Sequence, residues 1–145
     1  MQSKDLAVEA PRSPYETING FAILARTIDK CRADIAGTIG EYHFDCPLDK
    51  TLFGFKGIDA EEFKNLVATD VSDEVIGQWV FDNGMPKTVE EIKAWSDHFR
   101  SDYSYSTDPN KSEWFRGECE RLGLNPETTT LFDYLEADDR ITFGK

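Results

Sequence analysis

The stretch TINGFAILARTIDKCRADIA, Thr17 to Ala36, decides how the rest of the chain is read. Phe21, Leu24, Ile28, Cys31 and Ile35 recur in it at alternating steps of three and four, the spacing that lines one side of an α-helix. Gly37 follows as a left-handed stop, and Gly40 comes soon after. The pattern predicts one long helix over Thr17–Ala36, a spine against which shorter elements pack.

Downstream, start signals recur. Asp59-Ala-Glu-Glu and Thr88-Val-Glu-Glu have the spacing of capping boxes, and Ser72 is a further N-cap residue. Asp108-Pro109 and Asn125-Pro126 each pair a capping residue with a proline at the first helical position. The apolar faces that follow carry Phe63, Leu66 and Val67, then Val75, Ile76, Trp79 and Val80, then Val89, Ile92, Trp95 and Phe99, then Trp114, Phe115, Cys119 and Leu122. Leu131, Phe132 and Leu135 belong to the last helix, and the tail from Asp138 reads as irregular. Leu48–Phe55 reads as a short helix broken by Gly54, and Glu41–Asp45 as extended loop. The expectation is an all-α fold, a single-domain irregular bundle of short amphipathic helices with a long N-terminal spine helix. Residues 1–14, with Pro11 and Pro14, form an extended lead-in, and residues 15–145 form the domain.

Composition narrows the function classes. The chain has 145 residues, 39% of them hydrophobic and 12% aromatic, enough for a packed core without staples. Its formal net charge is −12, with only 16 Lys and Arg, so the overall field repels nucleic acid and anionic membranes. No segment has the apolar length of a membrane span, and the N-terminal residues are polar, unlike a secretory leader. Three cysteines, Cys31, Cys46 and Cys119, make an odd count and argue against a disulfide framework. A reducing, cytoplasmic location is the expectation.

Several of these runs point to one family. Pro11-Arg-Ser-Pro, Ala25-Arg-Thr-Ile-Asp-Lys-Cys-Arg-Ala and Gly40-Glu-Tyr, followed by Leu48-Asp49, Phe53-Gly54-Phe and Gly57-Ile58, resemble a bacterial family catalogued as a domain of unknown function, DUF5069. The resemblance continues through Ser72-Asp73-Glu74 to Trp79 and to Trp95, and covers roughly residues 11–135. Ala25 departs from it, since a larger or more restrictive residue stands there in many relatives. The resemblance implies one domain and carries over no activity, substrate or catalytic residue.

Candidate site residues come from polar groups in unusual places. On a wheel of about 100° per residue, Arg32 lies at the edge of the apolar stripe while Arg26 and Lys30 point away from it. Asp29 is three residues before Arg32, so the plain reading is a structural ion pair between them. The alternative is a fork for a ligand carboxylate or phosphate. Glu118, near Trp114 and Cys119 on its helix face, is a second candidate partner for Arg32. The loop 37–47 holds Tyr42, His43, Asp45 and Cys46 beside the spine and could form a binding rim. His43 and Cys46 are spaced like two metal ligands, but further ligands would have to come from His98, Cys31, Cys119 or an acid, which nothing in the spacing requires. A three-residue step along extended chain separates them as a catalytic pair. Trp79, Trp95 and Trp114 read first as core, and alternatively as the lining of one pocket. No phosphate loop, nucleophile elbow or dinucleotide fingerprint occurs, and no cofactor or metal is implied.

Two function classes follow. One is a binder of a small, anionic molecule, or an enzyme, with Asp29, Arg32, Tyr42, His43, Trp79 and Trp95 around a pocket beside the first helix and the 37–47 loop. In it, His43 or Asp29 would carry protons. The other is a protein-interaction module using exposed aromatics such as Tyr103 and Tyr105.

Overall fold

The computed structural model describes residues 3–102 and 104–144. Among these residues seven α-helices follow one another: α1 (Leu24–Ala36), α2 (Pro47–Lys56), α3 (Ala60–Val67), α4 (Asp73–Asp82), α5 (Val89–Arg100), α6 (Ser112–Leu122) and α7 (Leu131–Phe143). A single 3-10 turn, Ser104–Ser106, precedes α6. Among the described residues there is no strand, and no helix is long and apolar enough to cross a membrane.

The helix starts follow the side-chain chemistry of their caps. Asp59 accepts from Glu61 N, Ser72 from Val75 N, and Thr88 and Glu91 form a reciprocal box opening α5. The two Asx-Pro signals act differently. Asp108 and Asn125 each accept a hydrogen bond from the backbone two residues on, closing a turn ahead of the helix. The helices themselves open at Ser112 and, under Thr130 as cap, at Leu131. α2 runs through Gly54 without a break.

The long spine helix is not formed. α1 starts at Leu24 and spans 13 residues, the same length as α7. The seven residues before it satisfy their backbone groups elsewhere. Ile18 and Phe21 form an isolated antiparallel bridge around Asn19 and Gly20, both in the left-handed region. Ser96 on α5 accepts from Ala22 N at 2.9 Å and donates to Gly20 O at 2.7 Å. Ile23 N donates to Pro14 O, and Ile23 itself is left-handed at the cap. Tertiary partners therefore take the groups that a longer helix would pair internally.

α1 is nonetheless central. It packs against α2, α3 and α4, and every residue from Leu24 to Cys31 is buried. Its apolar stripe joins Leu52, Phe53, Phe63, Ile76, Ile92 and Phe132 in the main core. A smaller cluster of Phe115, Cys119, Leu131 and Tyr134 lies between α6 and α7. Leu48 and Leu135 pack against both clusters. Arg26 and Lys30 do point away from the stripe, but that side is covered too, and they are 3% and 4% exposed. Both are balanced by buried acids, as buried charges must be.

The tail from Asp138 is helical rather than irregular, because Asp139 reaches back to Arg26. The lead-in also packs: Leu6, Pro11 and Pro14 are buried, and Leu6 N donates to Thr38 O.

Candidate ligand-binding cleft

A cleft of about 830 Å³ opens at the seam of the two clusters. α1 supplies Arg26 and Lys30 to it, and the loop after α1 supplies Tyr42, His43 and Cys46. α6 contributes Trp114 and Glu118, and α7 contributes Tyr134, Leu135 and Phe143. Its size falls within the range of small-molecule sites, roughly 300–1,000 Å³.

Two ion pairs support the inner side. Arg26 Nη1 donates to Asp139 Oδ2 at 2.8 Å, and Tyr42 Oη donates to Asp139 Oδ1 at 2.6 Å. The Arg26 guanidinium also lies 5.5 Å from the Tyr42 ring centroid, and that ring runs nearly parallel to Phe143 at 6.4 Å. Burial, then the bond to Asp139, pushes the Tyr42 phenol up, so it keeps its proton and remains a donor.

The second pair is Lys30 with Asp49, at 3.0 Å. Lys30 Nζ also donates to Cys46 Sγ at 3.2 Å. Asp49 is fully buried and accepts from Thr27 Oγ1 at 2.7 Å and from Asp45 N at 2.9 Å. These bonds fix the end of the 37–47 loop to α1 and hold the start of α2, where Asp49 and Cys46 form the capping box.

At the outer edge Tyr134 Oη donates to Glu118 at 2.7 Å, and Arg121 binds both Glu118 and Asp138. Arg121, then Tyr134, holds the Glu118 carboxyl below its usual range. Trp114 stands at this edge, 51% exposed.

Of the six residues that the sequence placed around a pocket, Tyr42 and His43 line the cleft and Asp29, Arg32, Trp79 and Trp95 do not. Asp29 is locked by Arg12, whose backbone N donates to it at 2.8 Å and whose Nε lies 3.2 Å from each carboxylate oxygen. Arg32 is half-buried as expected of a residue at the stripe edge, but its partners are Asp73, at 2.9 Å, and the carbonyl of Val71. Neither Asp29 nor Glu118 pairs with it: each is taken by another arginine, Arg12 or Arg121. Arg32, Ser72, Asp73 and Glu74 line a shallower depression of about 400 Å³.

The three tryptophans do not share a pocket. Trp79 packs beside Phe63 in the main core, Trp95 stacks on Phe55 at 4.6 Å, and only Trp114 faces the cleft. His43 is exposed and, among the described residues, makes no hydrogen bond with Cys46, whose sulfur faces Lys30 instead. Among the described residues no group of three or more His, Cys, Asp or Glu could hold a metal ion.

Sequence reasoning missed Arg26 and Lys30. The available signal was two cations one turn apart in the sequence of one helix; the acids that balance them, Asp139 and Asp49, come from two other helices.

Comparison with curated proteins finds no match. A family model, Domain of unknown function (DUF5069), matches residues 8–141, which takes in the second half of the lead-in, α1 to α6 and all but the last two residues of α7. The chain belongs to the DUF5069 family.

Proposed function

We propose that this domain binds a small molecule carrying an anionic group in the cleft between α1, the 37–47 loop, α6 and α7. The supporting observation is Lys30, an ammonium buried at 4% exposure on the wall of an otherwise largely apolar cavity. An ammonium has three N–H donors, and Asp49 and Cys46 occupy two directions. Asp49 shares its charge with the Thr27 hydroxyl and backbone N–H groups, so Lys30 is not its sole support. A ligand acceptor can take the remaining N–H, where low local dielectric strengthens the contact. Exposed His43 at the rim adds a polar group that orients a ligand, and the Tyr42 ring, its hydroxyl proton held by Asp139, forms part of the wall.

The three free thiols fit a reducing, cytoplasmic compartment, and the net charge of −12 argues against nucleic acid as the partner.

Melting temperatures measured against small organic acids and their matched amides test this reading. An acid at a hundred times its Kd should add about 2.7 kcal/mol of stability. Lys30→Met should remove that gain, and amides should give little of it. Equal gains from amides, or none from any acid, would overturn the proposal.

A second reading, a protein-interaction module, draws on Trp114, the one large aromatic that is more than half exposed among the described residues. Tyr105 offers less than its sequence context implied, since it packs on Phe115 under Lys111. Tyr103 lies outside the described residues. Retention of the wild-type melting temperature by Trp114→Ala, with loss of binding to acids, would favour the small-molecule reading over this one.

A further inference from the structure

We infer that the ligand of this cleft is an aromatic monocarboxylate rather than an aliphatic acid or a phosphate ester, an inference that rests on the cleft being an anion site. The first ground is the state of the rings. Trp95 in the core has a parallel partner, Phe55, at 4.6 Å and 10°. Trp114 has none among the described residues: it meets Tyr134 edge-on at 77° and Phe115 at 46°. Its indole is half exposed and lines the cleft, so a face of the largest ring in the wall is left unstacked. Tyr134 likewise has only edge-on neighbours, Trp114 and Phe115. Planar rings gain affinity from aromatic pairing beyond area burial, and an alkyl chain does not.

The second ground is the charge available. A phosphate dianion needs several cationic or N–H donors converging on it. Arg26 already spends its fork on Asp139, with contacts of 2.8 and 3.4 Å. Lys111 sits over the Tyr105 ring at 4.4 Å, and Glu41, Glu118 and Asp138 line the same cleft. One open Lys30 N–H suits a single negative charge, and the surrounding carboxylates repel a second.

The test is isothermal calorimetry of the full chain with four probes: 2-naphthoate, decanoate, 2-naphthyl phosphate and 2-naphthamide. The expected order has 2-naphthoate tightest, at least tenfold ahead of each of the others. Trp114→Ala, which changes a half-exposed side chain, should weaken 2-naphthoate about tenfold and decanoate by less, since the alkyl chain loses apolar contact but no ring stacking. Decanoate or the phosphate binding as tightly as 2-naphthoate would overturn the ligand class while leaving the anion site standing. The amide matching the acid would overturn the anion site, and the ligand class with it. Absence of binding by all four would overturn both. The ranking on the wild-type chain decides these outcomes without any variant.

Discussion

Arg12 and Asp73, in the lead-in and the first turn of α4, are joined by a 2.8 Å hydrogen bond from Nη1 to Oδ2. The same guanidinium holds Asp29 on α1, and Arg32 closes on the other oxygen of Asp73. Asp29, Arg12, Asp73 and Arg32 thus form a row of alternating charges that binds three segments, and none of the four lines the cleft. Removal of the Arg12 guanidinium leaves nearly buried Asp29 with the backbone N–H of residue 12 and with Lys4, at 3.8 Å, as its remaining cation among the described residues. Arg12→Met should therefore cost about 3 kcal/mol, in the range for breaking a buried pair. Arg32→Met leaves Asp73 its bond to Arg12 and should cost about 1 kcal/mol. Urea denaturation of both variants checks the order, and equal losses would contradict the row.

Lys56 is buried without a carboxylate, and its Nζ donates to the carbonyls of Asn83 and Met85 at 2.6 Å each. Burial, with a smaller push from Lys87, lowers its pKa below the ordinary 10.5. The folded state then releases this proton before the unfolded chain does. Stability should rise with pH from the folded pKa up to 10.5. The neutral amine keeps two N–H donors for its two carbonyls, so the contacts survive the proton's loss. Lys56→Met should lose about 1–3 kcal/mol at neutral pH, because the two carbonyls are left unpaired. Its stability, followed by chemical denaturation between neutral and alkaline pH, should lack the wild-type rise.

Two helical glycines should respond oppositely to alanine. A Cβ on Gly77 in α4 would stand 2.7 Å from Ile18 Cγ2 and 2.9 Å from Asn19 Oδ1, inside the turn that replaces the start of the expected spine. Gly77→Ala should cost about 1–3 kcal/mol by overpacking. Gly117 in α6 has nothing within 4 Å of the same position. Gly117→Ala should gain about 0.8–1 kcal/mol from helix propensity. Thermal melts of the two variants should move in opposite directions, and a neutral Gly77→Ala would show that the turn does not press on α4.

The three thiols should separate by accessibility. Cys31 is fully buried, and burial pushes its thiol up to about 12. Cys119 is also buried and raised, chiefly by desolvation. Cys46 is half-buried and opens on the cleft. Iodoacetamide should alkylate Cys46 first by peptide mass spectrometry, with Cys31 and Cys119 reacting at the rate of global unfolding. Labelling of Cys31 at the rate of Cys46 in the native protein would refute the packing around α1.

Local chemistry in the sequence determined the helical class, the stripe of α1, its end at Gly37 and the caps at Asp59, Ser72 and Thr88, because each depends on residues within a turn of one another. It also put Tyr42 and His43 beside that helix, since the loop follows α1 directly. Only the tertiary structure decided where α1 begins, because Ser96, seventy-four residues beyond Ala22, captures the backbone that would have extended it. The same holds for the ion pairs. A wheel knows neighbours on one helix, so it paired Asp29 with Arg32, whereas Arg12 and Asp73 arrive from other segments. The wheel placed Arg26 and Lys30 away from the stripe, and it could not show what covers that side. They are buried because α7 and the loop close over that side of α1, and a charge's burial depends on what covers it.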